Sequence, residues 1–154
     1  MIDELQLKLC DIQGRLFELS GEKQLPSAAF IRAFMTSDVA RELDSRYNRA
    51  QWMGEEYLLE ETCSGAKKLF GAGDVYDRDT LYWIGYVYRY WHFYTGESST
   101  KILRQAPVDT MKRNYMMFHT MDPSLAVEKL KEISITASRV SDQTRPARQT
   151  PHRL

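Results

Sequence analysis

Apolar side chains recur at Ile2, Leu5, Leu9, Ile12, Leu16 and Leu19. This alternation of three and four residues puts all six on one stripe of a helix. The same spacing forms coiled-coil seams, but here it lasts fewer than three heptads and contains Gly14. The stripe is therefore expected to pack on the chain's own body, with pairing to a short partner helix or to a second copy through Ile2 to Leu19 as the other use. Ser20-Gly21 should end it. Leu25-Pro26-Ser27 then opens a second helix with Phe30, Ile31, Phe34 and Met35 as its buried pairs, and Ser37-Asp38 can cap a further turn from Val39 to Asp44. A helix from about Ala50 to Cys63 would carry Trp52 and Leu59, with Glu55, Glu56, Glu60 and Glu61 on its flanks. Gly65, Gly71 and Gly73 mark the one long loop.

Between Tyr82 and Tyr94 eight of thirteen residues are aromatic: Tyr82, Trp83, Tyr86, Tyr88, Tyr90, Trp91, Phe93 and Tyr94. Such enrichment suits a strand, but length decides against one. Sixteen extended residues would reach about 50 Å, wider than a domain of this size, whereas a helix needs about 24 Å. Asp79 as N-cap and Gly96 just past the end predict a helix from Thr80 to Thr95. Being apolar nearly all round, it should lie at the centre of the fold and bury Trp83, Trp91 or both. Ser98 or Ser99 caps a short helix to Ala106, Pro107 breaks it, and Asp109 caps a helix through Met111, Tyr115 and Phe118. Asp122-Pro123 begins the last helix, through Leu130 and Ile133. The expected architecture is all-α: one domain of about six helices over residues 1–135, around a central aromatic helix. Residues 136–154 have almost nothing apolar, carry Pro146 and Pro151, and read as a disordered basic tail.

Composition narrows the class without naming the function. The 154 residues are 43% hydrophobic and 27% charged, which fits one soluble globular domain. The nearly apolar run Leu81 to Tyr94 is broken by Arg89 and His92 and falls short of the roughly 20 residues a bilayer span needs, so no membrane association is expected. The acidic start lacks a secretory pattern, and Cys10 and Cys63 suggest free thiols in a reducing cytoplasm. Charge is uneven. Residues 1–63 hold seven Lys/Arg against twelve Asp/Glu, a balance of −5, while 64–135 stand at +2 and 136–154 at +3. Such asymmetry either steers a charged partner or reflects ordinary drift of helical surfaces.

The sharpest local pattern is Arg113-Asn114-Tyr115-Met116-Met117-Phe118-His119. Arg113 and His119, six apart on a helix, can converge on one phosphate, His119 as acid or base and Arg113 stabilising charge. The pattern resembles the Arg-x4-6-His motif of the all-helical nucleotide-binding ribonucleases found among bacterial toxins. That resemblance implies catalytic roles for Arg113, Asn114 and His119, although Met121 stands where some of that group carry Tyr. A solvated Arg113, with His119 capping a helix carbonyl, is the structural alternative. Tyr115-Met-Met-Phe-His119-Thr120-Met-Asp122, with Ala126, Leu130 and Ile133 following, resembles the Tyr-x-x-Leu-His-Thr turn and terminal helix of small helical proteins encoded beside ADP-ribosyltransferase-like toxins. Residues 81–133 are compatible with that layout, with Phe118 in place of Leu. This resemblance implies an antitoxin-like or accessory protein that binds a toxin encoded nearby, with Arg113, Tyr115 and His119 at the interface.

Weaker signals remain. Ser98-x-x-Lys101 matches a penicillin-binding nucleophile pattern without its companion motifs and reads as a helix cap. The Ser99 to His119 stretch permits a helix-turn-helix, but Ala-Pro-Val replaces the usual turn and only Lys112, Arg113 and Asn114 lie near the second helix start, so nucleic acid is not the expected partner. Glu55, Glu56, Glu60, Asp74, Asp77 and Asp79 lack a His at ligand spacing, so no metal is expected, and no cofactor motif occurs. The primary expectation is a non-enzymatic protein that neutralises a partner toxin by occlusion. A metal-independent ribonuclease is the alternative.

Overall fold

Several helix starts in this chain are set by short polar side chains that satisfy orphan N–H groups, and the first shows the logic. Asp3 accepts from the Gln6 backbone while the Gln6 side chain accepts from the Asp3 N–H, a capping box that opens α1 (Glu4–Glu22). The computed structural model describes residues 2–46, 53–65 and 70–144. Seven more helices follow: α2 (Ser27–Met35), α3 (Asp38–Asp44), α4 (Glu55–Gly65), α5 (Arg78–Thr95), α6 (Ser99–Gln105), α7 (Val108–Phe118) and α8 (Pro123–Thr144). The described residues therefore form eight helices rather than about six, because the short turns capped by Ser37 and Ser98 are separate elements. The class is all-α, and no described helix is long and apolar enough to cross a membrane.

Several boundaries differ from expectation. Ser20 and Gly21 do not end α1; they are buried inside its last turn, where the Ser20 hydroxyl donates to Phe17 O at 2.6 Å. Asp77, not Asp79, precedes α5, and Pro107, not Asp109, precedes α7. The start expected for α4 at Ala50, and Trp52 with it, lies outside the described residues, and the observed helix begins at Glu55. The disordered tail was expected from residue 136, yet α8 continues to Thr144, and only residues 145–154 of that tail lie outside the described part. Residues 135–141 are helical and exposed. Extending a helix from a packed base costs far less than nucleating one, so this stretch needs no burial of its own.

Helix α5 is the hub, packed most extensively on α1 and also on α6, α7 and α8. Both Trp83 and Trp91 are buried, as a central helix requires. Gly96 ends it at φ 78°, donating its N–H to His92 O at 2.7 Å. The α1–α5 crossing is close enough that a Cβ on Gly85 would lie 2.5 Å from Gln13 O and 3.0 Å from Gly14 Cα. A Phe17, Phe30 and Phe34 cluster of ring contacts ties α1 to α2. The stripe of α1 faces this body from Leu9 to Leu19, with Leu9 and Leu16 buried and Ile12 and Leu19 packed against the core, whereas Leu5, expected on the same buried stripe, is 42% exposed.

A polar node is buried inside the bundle. The Arg89 guanidinium, 1% exposed, donates to Gln13 Oε1 at 2.7 Å, Asp44 Oδ1 at 2.6 Å and Ser99 Oγ at 3.2 Å. Asp44 also accepts from Ser99 N–H at 2.8 Å, and Gln13 Nε2 donates to Gly85 O at 3.0 Å. Burial lowers the Arg89 pKa, and the Asp44 carboxylate opposes that shift. Four helices (α1, α3, α5 and α6) thus meet at one satisfied charge pair.

Candidate functional site

The residues singled out from the sequence divide between two faces of α7. Arg113, Met116 and Met117 are spaced i, i+3 and i+4, so they share one stripe, and all three are exposed, the methionines at 76% and 67%. Arg113 makes no ion pair among the described residues, and Asn114 is folded back on its own helix, Nδ2 donating to Thr110 O at 2.8 Å. Tyr115 and His119 occupy a different face. Their rings stack at 4.5 Å, and His119 Nδ1 bonds the Tyr115 carbonyl at 2.8 Å. A carbonyl only accepts, so Nδ1 carries the hydrogen and Nε2 is the nitrogen left to accept.

Tyr115 and His119 form one wall of an open cleft of about 470 Å³. The facing wall is α5, with Tyr82, Trp83, Tyr86 and Val87; Met121 and Pro123 close one end, and Glu18 and Asp79 supply carboxylates. The rings are mutually supported. Trp83 meets Tyr115 edge-on at 5.8 Å and Tyr82 lies 5.9 Å from Tyr86. Tyr82 is held by its hydroxyl, which donates to Asp11 Oδ1 at 2.5 Å, and burial, with that bond and charge, pushes its phenol pKa up. Partial burial and then Asp79 and Asp77 raise the Tyr115 phenol in the same direction.

Arg113 is absent from this lining. At 100° per residue, six positions leave side chains about 120° apart around the axis, and only a long reach could reunite them. The charged residues of the lining are Glu18, paired with Arg78 at 3.3 Å, and Asp79, and no Lys or Arg is among them. Glu18 and Tyr82 also line an adjoining cleft of about 530 Å³ with Asp11, Arg15, Glu22, Glu55, Glu56 and Arg78.

Part of the aromatic helix, expected in the core, lines a surface instead, with Tyr82, Trp83 and Tyr86 in the cleft wall. The signal was present in the four-residue spacing of Tyr82, Tyr86, Tyr90 and Tyr94, which form a ladder with centroid spacings of 5.9, 6.4 and 6.0 Å along one side of α5. Ser98 caps α6, its hydroxyl accepting from Lys101 N at 3.2 Å. Cys10 is fully buried, and desolvation pushes its thiol up to about 12, which removes it as a nucleophile. Among the described residues no three His, Cys, Asp or Glu side chains are grouped to hold a metal. No family model matches the chain, and no curated protein and no solved structure is similar to it.

Proposed function

We propose that this chain is a protein-binding, antitoxin-like or accessory component of a bacterial toxin-antitoxin pair that neutralises its partner by occlusion. The observation that carries the protein-binding part is the exposed stripe Arg113, Met116 and Met117 beside the aromatic cleft of Tyr115 and His119. Two neighbouring methionines exposed to this degree, with an arginine on the same stripe, are the side-chain types enriched at interfaces. The toxin-antitoxin part rests on the likeness of the Tyr115 to Asp122 turn to proteins of such operons. In this reading the end of α7 buries against the toxin's active cleft, Arg113 and the methionines in the contact and Tyr115 with His119 shaping its edge.

The ribonuclease reading draws less support. It needs a cation beside the acid-base His119, and the cleft offers carboxylates instead. Co-purification of the full chain with the product of the adjacent gene tests the choice, together with RNA turnover by the chain alone. A stable complex and no turnover are expected. RNA cleavage that Arg113→Ala and His119→Ala both abolish at unchanged melting temperature would make this chain the enzyme.

A further inference from the structure

We infer that the two adjoining clefts, which share a rim, together bind an extended, arginine-bearing segment of a partner protein as an acidic groove. The inference rests on the protein-binding reading and names the chemistry of what is bound. Glu18 and Tyr82 line both clefts, so the two meet at a common rim. The combined lining holds six carboxylates, Asp11, Glu18, Glu22, Glu55, Glu56 and Asp79, against two guanidinium groups, Arg15 and Arg78, a balance of −4. Those two arginines are already engaged, Arg15 with Asp11 at 3.0 Å and Arg78 with Glu18 at 3.3 Å. Glu22, Glu55, Glu56 and Asp79 have no ion pair among the described residues.

Charge alone would accept any cation, but the aromatic end discriminates. Tyr82, Trp83, Tyr86 and Tyr115 present rings from two sides, with their polar groups neutral. A planar guanidinium stacks on such rings and donates in pairs to carboxylates, which an ammonium does less well. Two clefts of about 470 and 530 Å³ side by side exceed one side chain and fit several consecutive residues of an extended chain. A nucleic-acid strand would bring phosphates against six carboxylates and is repelled.

The test titrates the full chain with a synthetic decapeptide of arginines spaced by Gly and Ser, and with its Lys and Glu counterparts, by calorimetry at low and at raised salt. The arginine peptide should bind, the lysine peptide about threefold or more weaker, and the Glu peptide not at all. Glu55→Gln/Glu56→Gln/Asp79→Asn should weaken the arginine peptide about tenfold at low salt and less at raised salt. Tyr115→Ala should cost about fivefold. Each variant's melting temperature is measured, and Glu56 and Asp79 are exposed while Glu55 is half-buried.

Absent binding of the arginine peptide, equal binding of the Glu peptide, or affinity untouched by the triple substitution would overturn the inference. An adjacent-gene partner that survives the triple substitution but is lost in Met116→Glu/Met117→Glu would overturn the groove and leave the protein-binding reading standing. Peptide binding that follows the groove substitutions, with no adjacent-gene partner, would uphold the groove and remove the toxin-antitoxin reading.

Discussion

Arg89 carries a full charge at 1% exposure, and its neighbours determine what losing each of them would do. Removing Asp44 leaves a buried guanidinium uncompensated, which costs about 3–5 kcal/mol. Arg89→Met instead leaves Asp44 with the Ser99 N–H and hydroxyl, at 2.8 and 2.7 Å, and at 14% exposure. Asp44→Ala should therefore destabilise more than Arg89→Met in urea unfolding, and the reverse order would contradict the account of the node. Glu97 is a second anchor. Burial raises its pKa, but bonds from Lys131, Trp91 and Gln105 outweigh that and hold it at about 2 rather than 4.5. A depressed carboxylate contributes stability above its unfolded value and loses it as pH falls. The melting temperature of wild type should thus fall toward that of Glu97→Gln between pH 4.5 and about 2; a gap that stays constant would refute this. Neither anchor was legible in the sequence, where Arg89 reads as a break in an apolar run. Its partner lies 45 residues away, and residue spacing does not encode a contact so remote.

Helix α1 buries more than its leucine stripe. Cys10, Gln13, Gly14, Phe17, Ser20 and Gly21 also face inward, because the backbones of α1 and α5 approach each other through Gly14 and Gly85. Hydropathy gives small and polar residues no inward weight, so this half of the face was unreadable, while the Phe30, Ile31, Phe34 and Met35 face of α2 was read correctly. A close approach is easily blocked. Gly85→Ala would press a methyl against the Gln13 backbone, where no flexible side chain can yield, and should cost about 1–3 kcal/mol or more. Gly54→Ala, with nothing within 4 Å among the described residues, is the control and should change little. Equal denaturation midpoints for the two variants would show that the helices have room to separate.

Taken together, the helices build a bundle with an acidic groove and an apolar stripe at the end of α7. The acidic bias of residues 1–63 was visible in the sequence, and the fold gives it a location, since α1 and α4 supply Asp11, Glu18, Glu22, Glu55 and Glu56 to the groove. The Arg113 to His119 pattern was visible too, and helix periodicity already sets its two ends about 120° apart, but which of them meets α5 depends on how α7 packs. Val140, 53% exposed on the outlying part of α8, lies in the stretch that the sequence marks as tail. The most direct measurement is calorimetric titration of the full chain with the adjacent-gene product, wild type against Met116→Glu/Met117→Glu at matched melting temperature. The account predicts a defined complex that the double substitution weakens by about thirtyfold or more, the loss of one strong interface anchor. No complex, or one of unchanged affinity in the double variant, would contradict it.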